Sequence, residues 1–240
     1  MKRITIILLA VIVSTTLGSC FKQNAGFRYV KSKSYITNYL MFREDFSIIS
    51  CSCDVDGNIS IGCQLCDEVG RYSGYSYDDD PGSIFWKTAE KYGDTGYERF
   101  GLKVYIFNSS NLDDPYIRAA TANTINRIDI TSDMEWDTAH KAGDILNDCF
   151  TISYRSYADF IESGYAEAEK ASVDRVRTVP IDELKENDLR LLRNWPDSKT
   201  PIFAFKSTTP PTVAGTHNLN ITLYLDDGTT RTGSVETVIQ

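Results

Sequence analysis

Leu219-Asn220-Ile221-Thr222-Leu223-Tyr224-Leu225 runs directly into Asp226-Asp227-Gly228. Leu219, Ile221, Leu223 and Leu225 recur at every second position, so an extended chain here has one apolar face and one polar face. The Asp-Asp-Gly triplet then predicts a reversal. Glycine supplies the backbone freedom of a tight turn, and aspartate hydrogen-bonds to its own turn. Residues 229–239 alternate more loosely, and the two segments together read as an antiparallel hairpin.

Similar short runs occur along much of the chain. Residues 35–42, 46–53, 59–65 (after Asp56-Gly57-Asn58), 102–107, 125–130, 150–154 and 202–205 are rich in β-branched and aromatic residues and are separated by turn formers. Helical patterning is scarcer. Residues 157–171 contain good helix formers on an uneven apolar face. Residues 182–193, with Leu184, Leu189 and Leu192, predict a short helix after Pro180 that stops before Trp195-Pro196. Residues 72–97 are rich in Gly, Asp and Tyr and read as a long loop. The pattern predicts one mainly β domain over residues 27–240, β-sandwich-like (immunoglobulin-like) with one or two short helices; the alternative is α+β.

At the other end, Lys2 and Arg3 precede an apolar run over residues 4–17, and Leu17-Gly18-Ser19-Cys20 follows. A basic start, a short apolar stretch and small residues at the cut make a secretory signal. The run is shorter than the ~20 residues a membrane-spanning helix needs. Leu17-Gly18-Ser19-Cys20 resembles the bacterial lipobox, which implies cleavage before Cys20 and diacylglycerol on its thiol. Residues 20–26 then form a lipidated tether. Because Phe21-Lys22-Gln23-Asn24-Ala25 holds no acid, the expected location is the outer membrane, with the periplasmic side favoured over the cell surface. Loss of the leader leaves 221 residues and takes two of the 25 basic side chains, against 33 acidic ones, for a net charge of −10. So acidic a chain has no electrostatic footprint for nucleic acid.

Five cysteines remain: Cys51, Cys53, Cys63, Cys66 and Cys149. In an oxidising compartment disulfides are the default. If Asp56, Gly57 and Asn58 form a three-residue loop, Cys51 faces Cys63 across the hairpin, near enough to bridge. The expectation is Cys51–Cys63, with Cys53 bonded to Cys66 or Cys149. The rival reading presents Cys51, Cys53, Cys63 and Cys66 to zinc, although Cys-x-Cys is tighter than the usual zinc knuckle.

No nucleophile elbow, zinc-protease helix or phosphate-cradling loop appears, so no catalytic residue and no cofactor is assigned. His140 lies nine residues before Cys149, a pairing that can serve as base and nucleophile; without an orienting partner, ordinary placement of both is the simpler reading. Asp78, Asp79 and Asp80 are candidate calcium ligands, and Asp113-Asp114 and Asp226-Asp227 are further paired acids, which in loops are usually turn formers. Tyr72, Tyr75, Tyr77 and Trp86 are candidate contacts for a glycan or a protein partner, the alternative being that they roof a core.

From Ile125 onward the chain resembles a group of uncharacterised exported lipoproteins of Bacteroidetes, a domain family of unknown function. The likeness rests on Ile128-Asp129-Ile130-Thr131-Ser132-Asp133, the segment from Ala142 to Phe150, Pro201-Ile202-Phe203-Ala204-Phe205 and the closing hairpin. It implies a β-rich extracytoplasmic domain and no particular activity. Asp137-Thr138-Ala139 looks like the short acceptor pattern for O-glycosylation in such proteins, at Thr138. The combined expectation is a lipid-anchored envelope protein with a binding or structural role, its partner a glycan or another envelope protein. A glycan hydrolase using loop carboxylates, or a metal-binding envelope protein, is the alternative.

Overall fold

The computed structural model describes residues 27–42, 46–65, 73–77, 80–104, 118–194 and 200–239, with side chains described outside 27–32 and 99–104. Cys20, Cys66, Tyr72, Asp78, Asp79, Asp113 and Asp114 lie outside the described residues. The fold is mainly β and β-sandwich-like with few short helices.

The closing hairpin forms as its alternation predicts. Strands β13 (Gly215–Leu225) and β14 (Thr230–Ile239) pair antiparallel, and β8 (Ile125–Ser132) joins on the other side of β13. Gly228 turns the chain at φ +80°, and Asp227 Oδ1 accepts the Thr229 N–H at 2.9 Å. A five-stranded sheet packs against this one, in the order β10 (Arg177–Pro180), β9 (Phe150–Tyr154), β12 (Phe203–Ser207), β4 (Ile59–Gln64), β3 (Ser47–Cys53). The apolar faces of β4, β9 and β12 meet those of β8 and β13 in one core that also takes in Trp136. Phe46 lies against Gly233 of β14, seated close because that position has no side chain.

A second core lies beside a smaller mixed sheet, ordered β11 (Arg193–Asn194), β7 (Ala119–Thr121), β2 (Asn38–Leu40), β5 (Gly74–Ser76), with β2 and β7 parallel. Strands β1 (Phe27–Ser32) and β6 (Arg99–Val104) form a separate antiparallel pair. Helices α1 (Ile84–Lys91) and α2 (Ala158–Glu162) supply Phe85, Ala89, Phe160 and Ile161 to this second core. At its centre Asp94 is fully buried. Its carboxylate accepts the N–H groups of Tyr35 (2.6 Å) and Ile36 (2.9 Å) and the hydroxyls of Tyr39 (3.0 Å) and Tyr165 (2.9 Å).

Four expectations are corrected. Residues 72–97 are not one loop, since they contain β5 and α1. Phe85, Thr88 and Ala89 make a buried stripe too short to stand out among the flanking Gly and Asp residues. Residues 182–193 are not a helix beyond the single 3-10 turn Ile181–Glu183. Asn187 and Leu191 take left-handed φ angles of 69° and 48°, and the Leu189 and Leu192 carbonyls accept from Ile125 and Thr121 instead. The 157–171 segment divides at Tyr165 (φ 65°) into α2 and the 3-10 run Glu167–Asp174, and the 35–42 strand shrinks to β2.

The β3–β4 hairpin also departs from its expected register. Asp54 N donates to Asn58 O at 2.9 Å, and Asp54 Oδ1 accepts the N–H groups of Asp56 (3.0 Å) and Asn58 (2.9 Å), so Asp54 stands opposite Asn58 and the turn spans 55–57 rather than 56–58. Cys51 therefore faces Ile61, Cys53 faces Ile59, and Cys63 lies opposite Ile48 beside a bulge. A slip of two residues keeps every side chain on its face and changes its partner. Cys51, Cys53, Cys63 and Cys149 are free thiols, so the Cys51–Cys63 and Cys53–Cys149 pairings are not formed.

Candidate functional site

The densest group of reactive side chains among the described residues sits in the connection between β8 and β9. Trp136 anchors this connection. Its indole is fully buried, donates to Thr209 O at 3.0 Å and packs against the rings of Phe150 and His217. The next residues close on themselves. Trp136 N donates to His140 O at 3.0 Å, while Asp137 Oδ1 accepts the N–H groups of Ala139 (2.8 Å) and His140 (2.9 Å). At the far end, Asn147–Cys149 forms a 3-10 turn that leads into β9. Cys149 N donates to Leu146 O, and Thr208 N donates to Cys149 O at 2.8 Å, which ties the cysteine to the sheet.

These two anchored ends bring four side chains together. His140 Nδ1 is 2.9 Å from Asp137 Oδ1 and 3.9 Å from Cys149 Sγ. The other ring nitrogen, Nε2, is 3.2 Å from Asp148 Oδ1. The ligand atoms of Asp137, His140 and Cys149 all lie within 4.8 Å of one another. Cys149 is buried, His140 and Asp137 are mostly covered, and the Asp148 side chain is 57% exposed.

The electrostatics follow from this packing. Burial alone would lower the His140 pKa, but the hydrogen bond with Asp137 and the charges of Asp148 and Asp137 outweigh it and raise the value. Burial would raise Asp137, yet the N–H groups of Ala139 and His140 and the ring itself hold it below the usual carboxylate range. Burial first, and then the negative charges of Asp148 and Asp137, push the Cys149 thiol up to about 12. A nucleophilic cysteine needs its thiolate favoured, and a relay needs carboxylate and thiol on opposite ring nitrogens. Here Asp148 does stand opposite the thiol, on Nε2, but Asp137 occupies Nδ1 at 2.9 Å while the sulfur is 3.9 Å away, and burial and the two carboxylates disfavour the thiolate, so the arrangement is poor for nucleophilic catalysis. Its donor set (one thiol, one imidazole, one carboxylate) is of a kind that can hold a metal ion.

The remaining candidates are placed as follows. Tyr77 is buried against Phe85 and Trp86, while Tyr75 and Trp86 are half-buried along the rim of the second core. Thr138 is exposed in the bend between Asp137 and His140. Asp80 is exposed, with Oδ1 accepting the Gly82 N–H. Asp226 pairs with Lys91 at 2.5 Å, and Asp227 caps its own turn. His217 is fully buried between Ser132 Oγ and Val213 O, in a structural position. The His140–Cys149 spacing was legible in the sequence, but the two aspartates that complete the group were not. Asp-x-x-His is a local hint of the first of them.

Comparison with protein-family models, with curated proteins and with solved structures finds no match for this chain.

Proposed function

We propose that this protein is a lipid-anchored component of the bacterial cell envelope that works by binding, its ligand a glycan or another envelope protein. The basic-apolar leader and Leu17-Gly18-Ser19-Cys20 support a lipid anchor, and the acid-free Phe21-Lys22-Gln23-Asn24-Ala25 supports the periplasmic side of the outer membrane. The likeness of Ile128–Asp133, Ala142–Phe150, Pro201–Phe205 and the closing hairpin to exported Bacteroidetes lipoproteins supports an extracytoplasmic place. The observation that carries the binding role is the placement of Tyr75 and Trp86. Tyr75 stands on β5, an edge strand, and Trp86 lies on α1, which packs beside it; both rings are half-buried, with buried Tyr77 and Phe85 bracing Trp86 from below. Amphipathic rings held rigidly at a rim bind sugar faces or partner side chains at small entropic cost.

The test has two arms. Cys20→Ala should release the protein from membranes and abolish the acyl mass on the mature chain; an unacylated wild-type chain overturns the anchor. Titration with solubilised envelope glycans and envelope extracts, followed by tryptophan fluorescence, should give a saturable change that Trp86→Phe removes. A response identical in Trp86→Phe, or no response to either fraction, overturns the binding face.

A further inference from the structure

We propose that Asp137, His140 and Cys149 form a binding site for a divalent transition-metal ion of zinc type. His140 ligates through Nδ1, and Asp148 holds the ring from its opposite side. The argument begins with which ring nitrogen faces what. The carboxylate of Asp137 and the sulfur of Cys149 are both on the Nδ1 side, at 2.9 and 3.9 Å, so three donors of different type converge on one point. Around a tetrahedral zinc ion, with bonds of about 2.0–2.3 Å, neighbouring donor atoms stand roughly 3.3–3.6 Å apart. The two separations from Nδ1, 2.9 and 3.9 Å, bracket that range, and the Asp137 and Cys149 donors lie within 4.8 Å of each other, so side-chain movements on the order of 1 Å bring the three to it.

Asp148 supplies an independent indication. A metal-bound histidine almost always donates its second ring N–H to a carboxylate, a backbone carbonyl or water, which fixes the tautomer and the ring plane. His140 Nε2 has that partner in Asp148 Oδ1 at 3.2 Å. The pieces are also held in advance. Asp137 and His140 belong to a loop pinned by the buried Trp136, and Cys149 is pinned by the Leu146 and Thr208 backbone.

On binding, the Cys149 thiol and the His140 Nδ1–H each lose a proton to solvent, and the freed sulfur and nitrogen lone pairs go to the ion. Asp137, already ionised, adds an oxygen. Thiolate and carboxylate together balance the two positive charges. Three protein donors leave one position open to water or to an exogenous ligand, the pattern of a zinc site that is not closed by protein alone.

The experiment is titration of the metal-stripped full-length chain with Co(II), then displacement by Zn(II). The expected result is a thiolate-to-cobalt charge-transfer band with the visible bands of a four-coordinate ion, lost in Cys149→Ser and retained in Cys51→Ser/Cys53→Ser. Zinc should raise the melting temperature of the wild-type chain and leave that of Cys149→Ser unchanged. Because Cys149 is buried and its serine variant can fail to fold, Asp148→Asn, changed at an exposed side chain, gives the second reading: zinc affinity falls about 10–100-fold with the fold intact. Bands that persist in Cys149→Ser, bands that vanish in Cys51→Ser/Cys53→Ser, no bands at all, or unchanged zinc affinity in Asp148→Asn would each overturn the site.

Discussion

Replacing Asp94 by asparagine removes one charge and almost no volume, yet the geometry around it predicts a large loss of stability. Oδ1 serves the Tyr35 N–H and the Tyr165 hydroxyl; Oδ2 serves the Ile36 N–H and the Tyr39 hydroxyl. An amide has one oxygen and one NH2, so in either orientation one of the two pairs faces donors. A tyrosine hydroxyl can rotate and accept, but a backbone N–H cannot. One buried N–H is thus orphaned whichever way the amide lies, at a cost of about 1–3 kcal/mol, and the surviving bonds lose their charge assistance, about 1 kcal/mol more. The net expectation for Asp94→Asn is a destabilisation of about 2–4 kcal/mol, or a fall in Tm of roughly 5–15 °C for a domain of this size. Tyr39→Phe deletes a single donor and leaves Oδ2 on Ile36, so it should cost less, about 1–2 kcal/mol. Urea unfolding followed by circular dichroism measures both. The reasoning is refuted if Asp94→Asn lies within about 0.5 kcal/mol of wild type, or if Tyr39→Phe is the more damaging change.

Further outcomes follow from particular contacts. Gly74→Ala would drive a Cβ into the backbone oxygen of Tyr39 across the β2–β5 pair, where neither strand can yield cheaply, so this edge should unpair with a loss of about 1–3 kcal/mol; hydrogen exchange at Tyr39 and Tyr75 reads it directly. In the native chain under non-reducing conditions, exposed Cys53 should alkylate quickly and fully buried Cys63 only on global unfolding; a mapped Cys51–Cys63 disulfide would refute the register. Burial raises the Cys63 thiol pKa, whereas an unfolded chain ionises near ~8.5, so its contribution to stability is intact below that pH and declines as pH rises past it. Cys63→Ala should therefore flatten the alkaline limb of the stability curve. Trp136→Ala should cost about 3–5 kcal/mol and loosen the loop that carries Asp137 and His140, read as faster exchange of the Ala139 and His140 amides.

How far the site could be read in advance depended on which contacts were local. Asp137 reaches His140 within a single turn, a spacing visible in the chain itself. The thiol reaches the same ring only because Trp136 is driven into the core and β9 is paired with β12 through residues 49 to 57 positions away. Asp148 lands on Nε2 as a consequence of that closure, and no local pattern announced it. The aromatic run at 72–77 showed its composition, but that Tyr77 is buried against Phe85 and Trp86 was settled by where α1 lies.

The alternation of Leu219, Ile221, Leu223 and Leu225 and the Asp-Asp-Gly turn were enough to set the hairpin and the mainly β class, because a period of two forces one face of a strand inward wherever it pairs. Strand order, the placing of the turn at 55–57 that moved Cys51 away from Cys63, the conversion of residues 182–193 from an amphipathic pattern into bridges, and the meeting of Asp137, His140, Asp148 and Cys149 were decided only in three dimensions. The β3–β4 turn was placed by the Asp54 side chain within it, whereas in the other cases hydrogen bonds and burial supplied by distant strands outweighed local preferences worth under about 1 kcal/mol per residue.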